Sequence, residues 1–168
     1  MTEIDEYRFR SVLSRFASGV TVVTAVHGDG TDHGITVSAF CSLSLKPPLV
    51  LVCIDHETVM HGILQSAAAF AVNVLAADQE ELARRFSDPD NDRFDGTSYT
   101  RAARGARGAA VLTGAAVLTG VAAHLECAMT HRFEGGDHTI FVGSVEAAES
   151  SDLPPLLYYR GGYTRLER

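Results

Sequence analysis

Apolar residues recur at Phe9, Val12, Leu13 and Phe16, the i, i+3, i+4, i+7 spacing of one helix face. The pattern predicts a helix over residues 5–18 that packs its stripe on a neighbour, with Gly19 placed to stop it. The period then changes. GVTVVTAV is β-branched and apolar, HGDGTD supplies turn residues and HGITVS resumes the strand pattern, so residues 20–38 read as a hairpin turning near Asp29. Pro47 and Pro48 belong just before the next strand, Leu49–Asp55, whose continuous apolar run predicts deep burial.

Further along, Thr58–Ser66 is a short helix, AFAVNVL a strand, and Asp78-x-x-Glu81 ahead of Leu82 and Phe86 has the form of a capping box. Residues 87–108 carry four Asp, four Arg, one Pro and three Gly without periodicity, which fits either a lid or a solvated excursion. GAAVLT occurs twice, at 108–113 and 114–119, too short a repeat to define an architecture. The strands VAAHLECAMTHRF and TIFVGSVEAA follow, joined through Glu134-Gly-Gly-Asp137, where glycine permits the positive φ of a tight turn. The tail LLYYRGGYTRL reads as a last short strand.

About seven strands linked by short turns, with only short helices among them, predict a mainly β fold. We expect an antiparallel barrel formed by one domain over 1–168, in preference to a doubly wound parallel sheet. Neither GDG at 28–30 nor GARG at 105–108 follows a strand and opens a helix, so the dinucleotide fingerprint of a Rossmann fold is missing, and no Walker motif occurs.

Composition narrows the function. A net charge of -7 without a Lys/Arg-rich run disfavours a nucleic-acid partner. No apolar stretch approaches the roughly 20 residues that span a bilayer, and the charged N-terminus lacks a secretory apolar region, so a cytoplasmic protein without a membrane partner is expected. Cys41, Cys53 and Cys127 are odd in number and lie in apolar sequence, which reads as buried thiols. His56 and His61 lack a third ligand at suitable spacing, so no metal is expected. No GxSxG elbow anchors a hydrolase.

The chemistry-bearing stretch is Gly34 to Pro48, with hydroxyls at Thr36, Ser38, Ser42 and Ser44 alternating with apolar residues before LVLVCID. Such a face can offer donors to a phosphate or a ring edge, and equally can be a half-exposed strand whose serines meet water. His138 in GGDHT is, by itself, an exposed turn histidine.

Taken together, FASGVTVVTA, HGITVSAFCSLSLKPPLVLVCI, FAVNVLAADQEELARRF, HLEC, GGDHTIFVGSV and LLYYRGGY stand in the order of the flavin reductase family, and the chain resembles that family over nearly its whole length. The resemblance implies a split-barrel, Greek-key flavin-binding fold, usually a homodimer with flavin at the subunit interface. It implies that FAD or FMN lies along Thr36, Val37, Ser38, Ala39, Ser42 and Leu43. Further contacts are implied from Cys53, Ile54, Asp55, His56 and Thr58, and from Arg85 and Phe86. By the same resemblance His138 sits beside the nicotinamide as the catalytic-site histidine, and Tyr159, Arg160, Gly161 and Gly162 help to hold that cofactor. One departure is that Ala precedes VL in both copies of GAAVLT, where the family commonly has Pro, which leaves the register of that strand open.

The implied reaction is hydride transfer from NADH, or alternatively NADPH, to a free flavin that then leaves for a separate monooxygenase. The cofactors carry that chemistry and the protein supplies geometry, so no strong acid, base or nucleophile is expected. Two other readings are a non-catalytic flavin- or haem-binding split barrel, which would not need GGDH or YYRGG, and an oxidase that keeps its flavin tightly bound.

Overall fold

A computed structural model describes residues 4–90, 92–101 and 115–166. Helix α1, Glu6–Leu13, is capped by Asp5, whose carboxylate accepts from the Arg8 N–H at 2.7 Å. It ends at Ser14, short of Gly19, and among the described residues its stripe is not buried: Phe9, Val12 and Leu13 are all more than half exposed. Strand β1, Ser18–Gly19, leads into the expected hairpin of β2, Thr21–Val26, and β3, Asp32–Val37. In its turn Gly30 takes φ +90°, and Asp29 accepts from the Thr31 N–H at 2.9 Å, which holds the Asp29 carboxyl well below the usual range.

Strand β4, Phe40–Leu45, runs into β5, Pro48–Asp55. β5 is buried on one face only, through Val50, Val52 and Ile54, while Leu49, Leu51, Cys53 and Asp55 face a half-open side. The unbroken apolar run therefore marks two apolar faces, one of them left uncovered by this chain. Helix α2, Val59–Ser66, is capped by Thr58, and β6, Ala69–Val74, follows. Helix α3, Glu80–Ser87, lacks the expected capping box: its N-cap is Gln79, whose side chain accepts from the Ala76 N–H and donates to the Thr119 carbonyl, both at 2.9 Å.

The short strands β7, Tyr99–Arg101, and β8, Ala116–Leu118, pair with each other, setting Leu118 opposite Tyr99. This gives the second GAAVLT copy its register; the first copy lies outside the described residues. Strands β9, Ala123–Gly135, and β10, His138–Ser150, form the long hairpin. Gly136 alone in its turn has positive φ, +80°, the requirement of a II′ turn. The tail is a second hairpin and not one strand: β11, Leu156–Tyr159, turns through Arg160 (φ +53°) and Gly161 (φ +80°) into β12, Gly162–Arg165. Both central residues being positive is the I′ pattern, which matches the twist of the flanking strands.

The main sheet has seven strands in the order β3-β2-β6-β9-β10-β5-β4, every pairing antiparallel. Its two edge strands, β3 and β4, are joined in sequence by Ser38 and Ala39 alone, so the sheet must curl until its edges meet. The Cys53 N–H donates to the Ala39 carbonyl at 3.0 Å, which carries the β4–β5 ladder one rung further into that link. The result is a mainly β split barrel with short helices. Met60, Ile63 and Leu64 of α2 close one core with Val23, Val52, Phe70 and Phe141, while Phe86 of α3 centres a second with Val22, Leu75, Leu118 and Leu156. No helix among the described residues is long and apolar enough to cross a membrane.

The first half of the long loop is tied to β3. Asp32 accepts from both terminal nitrogens of Arg101 at 2.8 Å and from the Tyr99 hydroxyl at 2.9 Å. Arg93 donates to the Gly34 carbonyl at 2.6 Å, and Phe94 packs edge-on against both Phe86 and Tyr99. The remainder of the 87–108 segment, to which the lid reading also applied, lies outside the described residues. Buried Asn73 fastens β8 to the barrel: its amide donates to the Val22 and Ala116 carbonyls and its carbonyl accepts from the Leu118 N–H.

Two predictions follow from this packing. A Cβ at Gly143 would stand 2.7 Å from both Cys127 and the Phe70 ring. Gly143→Ala is therefore expected to cost about 1–3 kcal/mol through overpacking, read as a lower midpoint in denaturant unfolding. Glu126 is 6% exposed and its Oε2 has no partner among the described residues, so burial raises its carboxyl pKa, with His124 opposing and Glu149 adding to the rise. A raised folded-state pKa means stability is lost as pH rises through it. Glu126→Gln is expected to raise the melting temperature at pH 7, with the difference closing as pH falls below the usual carboxylate range.

Candidate functional site

Closure of the barrel brings the seam between β3 and β4 beside the end of β5 and the start of β10. A hollow of about 190 Å³ forms there, lined by Thr36, Val37, Ser38, Ala39, Cys53, Ile54, Asp55, Thr58 and His138, with Ile35 beside them. His138 lies directly opposite Asp55 in the β5–β10 ladder, so the two share a face. The His138 Nδ1 stands 2.7 Å from Asp137 Oδ1, and that contact holds the Asp137 carboxyl below its ordinary pKa. An ionised carboxylate only accepts, which assigns the hydrogen to Nδ1 and leaves Nε2 as the second working atom of the ring.

Two further clefts adjoin the hollow. One, about 370 Å³, shares Thr36 and Ser38 with it and continues over Arg84, Ser87, Tyr158, Gly161, Gly162 and Tyr163. The Ser38 hydroxyl has no protein partner among the described residues, while Thr36 donates to the Ala83 carbonyl at 2.7 Å and so joins β3 to α3. Arg84 is held by Glu80 at 2.7 Å and lies 5.1 Å over the Tyr163 ring, whose hydroxyl pKa is raised by burial. The other cleft, about 560 Å³, shares Ile35 and Thr58 with the hollow and runs between β3, α2 and the tied loop, with Arg93 and Phe94 on its wall.

The structure brings together Thr36, Val37, Ser38, Ala39, Cys53, Ile54, Asp55, Thr58 and His138 from separate parts of the sequence. Gly161 and Gly162 join the adjoining cleft at Thr36 and Ser38. Ser42 and Leu43 lie further along β4, at the bulge between Ser42 and Ser44. The His56 side chain turns away from the hollow towards Thr139 and Glu134. Arg85 donates to the Asp95 carbonyl at 2.7 Å, lining a separate cleft with Gly96 and Thr97. Phe86 is fully buried against Gly34, where a Cβ would come within 2.5 Å of its ring.

Neighbours take the places beside the seam. Arg84 and Ser87 flank the buried Ala83–Phe86 face of α3, an i, i+3 pair that the helical period alone could have found. Tyr158, not Tyr159, faces the cleft, because the tail folds as a hairpin that sets Tyr158 opposite Tyr163. Arg160 sits in the turn itself, its N–H donating to the Ser14 carbonyl at 2.9 Å. Among the described residues no group of three or more His, Cys, Asp and Glu side chains could hold a metal ion.

A hydroxyl- and backbone-lined hollow with an oriented histidine thus opens into two longer clefts, in a mainly β split barrel. Its relatives specify the kind. Residues 13–167 match the flavin reductase like domain, and the chain belongs to that family. The reductase component of the 4-nitrophenol 4-monooxygenase/4-nitrocatechol 2-monooxygenase of Rhodococcus opacus is 39% identical over 160 residues, covering 95% of this chain and 80% of the relative. The solved NADH:FAD oxidoreductase of Streptomyces globisporus, in complex with NAD and FAD fragments, superposes with a TM-score of 0.88 at 39% identity, covering 99% of this chain and 98% of that one. A solved chain of Sinorhizobium meliloti gives a TM-score of 0.87 at 39% identity over 97% of this chain, which spans only 54% of that longer protein.

The thiols report on this geometry. Burial raises the Cys53 thiol, with Cys41 adding, and pushes Cys127 up to about 12. Since the thiolate is the nucleophile, iodoacetamide at neutral pH is expected to label Cys53 slowly and Cys127 only after denaturation. A ligand filling the hollow is expected to slow Cys53 further, read by peptide mass spectrometry.

Proposed function

We propose that this chain is an NADH-dependent flavin reductase that takes free FAD, with FMN as a poorer alternative, and releases the reduced flavin to a separate monooxygenase component. The observation that carries the reading is the oriented His138 at the hollow walled by Thr36–Ala39 and Cys53–Asp55, in a chain of this family. The NADH and FAD preferences rest on the relatives. The residues suit a flavin: the free Ser38 hydroxyl and the strand backbone are donors and acceptors for ring and ribityl groups, and Ile35, Val37 and Ile54 are apolar neighbours. Arg84, with the turn glycines, suits a phosphoryl group in the adjoining cleft.

When bound, the two cofactors supply the hydride chemistry. The chain's own task is to hold two planar rings with the reacting atoms about 3–3.5 Å apart. His138, its ring fixed through Nδ1 by Asp137, presents Nε2 to the nicotinamide and orients it. The Arg160–Gly161 turn and Tyr158 border the space for the rest of that cofactor.

We further propose that the single domain works as a homodimer in the cytoplasm, where NADH is available. Beside the hollow, β5 leaves an apolar face uncovered by this chain, which a second subunit would close over a flavin. Leu43 and Leu45 on β4, Val59 beside the hollow and the stripe of α1 are exposed, as an unpartnered interface would be.

The decisive measurement is the loss of NADH absorbance with purified protein, with and without added FAD, FMN or riboflavin. Flavin-stimulated oxidation is expected, strongest with FAD, and none with any flavin would overturn the reading. His138→Ala is expected to raise KM for NADH about tenfold or more, consistent with loss of a positioning contact, with the flavin Kd nearly unchanged. Equal loss of flavin binding would remove the nicotinamide role from His138.

A further inference from the structure

The face of β10 opposite His138 carries Thr139, which is fully buried and lies opposite Ile54 in the ladder. Its hydroxyl is gripped by two imidazoles, His56 Nε2 at 3.1 Å and His61 Nε2 at 2.9 Å, with the rings 4.7 Å apart. His56 Nε2 also stands 3.3 Å from a Glu134 carboxylate oxygen, and His61 Nε2 stands 3.2 Å from the Gln65 amide. Glu134 only accepts, which assigns a hydrogen to His56 Nε2, while the Thr139 hydroxyl has one proton to give and gives it to His61. The bonds form one chain: Glu134, His56, Thr139, His61, Gln65.

That chain converges on the tip that bears His138. The His56 backbone N–H donates to the Asp137 carbonyl at 3.0 Å, so His56 touches the tip at three points, Glu134, Asp137 and Thr139. His61, on α2, ties the same hydroxyl to the helix that plugs the core. The cleft-facing side of residues 134–139 makes none of these contacts. Of the residues that wall the hollow, Thr36–Ala39 on β3 and the seam make no bond to the chain, while Cys53–Asp55 lead into His56 and the Thr58 hydroxyl accepts from the His61 N–H.

We propose that His56, Thr139 and His61 are positioning residues that set the His138 imidazole for the nicotinamide and leave flavin binding alone. This rests on the reading of His138 given above. A backbone displacement of an ångström at a positioning group can cost about a hundredfold in rate, so a lock of this kind on the strand beside the working residue has kinetic consequences beyond stability.

The test is a double-mutant cycle on the purified, full chain, with NADH as the varied substrate and FAD binding measured separately. Thr139→Val keeps the shape and deletes the hydroxyl, and is expected to raise KM for NADH about fivefold to tenfold while the FAD Kd stays within about twofold. Thr139→Ser restores the hydroxyl and is expected to return KM close to that of the unaltered protein. In the His138→Ala background, Thr139→Val is expected to add nothing. Should Thr139→Val fail to fold, His61→Leu on half-exposed α2 takes its place in the same cycle. An unchanged KM in the folded variant, a parallel rise in FAD Kd, or full additivity with His138→Ala overturns the positioning role alone. No effect of His138→Ala on KM overturns both it and the nicotinamide role of His138.

Discussion

Two residues, Ser38 and Ala39, connect strands that stand at opposite edges of a seven-stranded sheet. So short a link leaves the sheet no flat solution. The edges must be brought together, and the Cys53 N–H to Ala39 carbonyl bond pairs the link itself with β5. The candidate site is a product of that closure. The end of β5 arrives beside the seam because β5 pairs with β4, and His138 arrives because β10 pairs with β5. Hydroxyls, a thiol, a carboxylate and an imidazole meet there, drawn from three separate parts of the chain. A site made this way is rigid where geometry counts, since each of its walls is also a rung of the barrel.

The helices act on the same seam from behind. α2 fills the core under β10 and α3 packs under β3, through Phe86 against Gly34 and through the Thr36 hydroxyl on the Ala83 carbonyl. Neither helix is long, and neither has an apolar face broad enough to stand alone. Their order comes from the barrel, and the barrel's inner surface is completed by them. The buried polar groups follow the same economy. Asn73 engages both ends of its amide with the backbone of neighbouring segments, whereas Glu126 has one oxygen without a partner among the described residues.

The sequence made the antiparallel character of the strands, the hairpin at residues 20–38 and the one turning through Glu134–Asp137 legible, because period, turn glycines and β-branched runs act locally. It did not reveal faces that depend on pairing. β5 read as buried throughout because both of its faces are apolar, and only the pairing shows that one of them is open. Phe86 and Arg85 follow one another in a motif, yet α3 turns the phenyl into the core, Arg85 to another cleft and Arg84 to the seam. In the tail, the choice between Tyr158 and Tyr159 depended on a turn at Arg160, and a non-glycine residue at positive φ gives little local sign of itself. The His56 side chain was assigned to the flavin by resemblance, and the structure turns it to the back of the hairpin. Membership of the family carried the rest, since composition and spacing alone left an exposed histidine and a strand of serines.

The contact of Gly34 with the Phe86 ring joins two positions far apart in sequence into one unit of inheritance. A methyl group at 34 has room only if the ring at 86 gives way, and a smaller side chain at 86 leaves a void that residue 34 would be free to fill. Substitution at either position alone strains or hollows the joint that sets β3 on α3, and with it the spacing of Ser38 from Arg84. Among descendants of this chain the two residues should therefore change together or not at all, and redesign of the cofactor cleft has to begin by treating them as a pair.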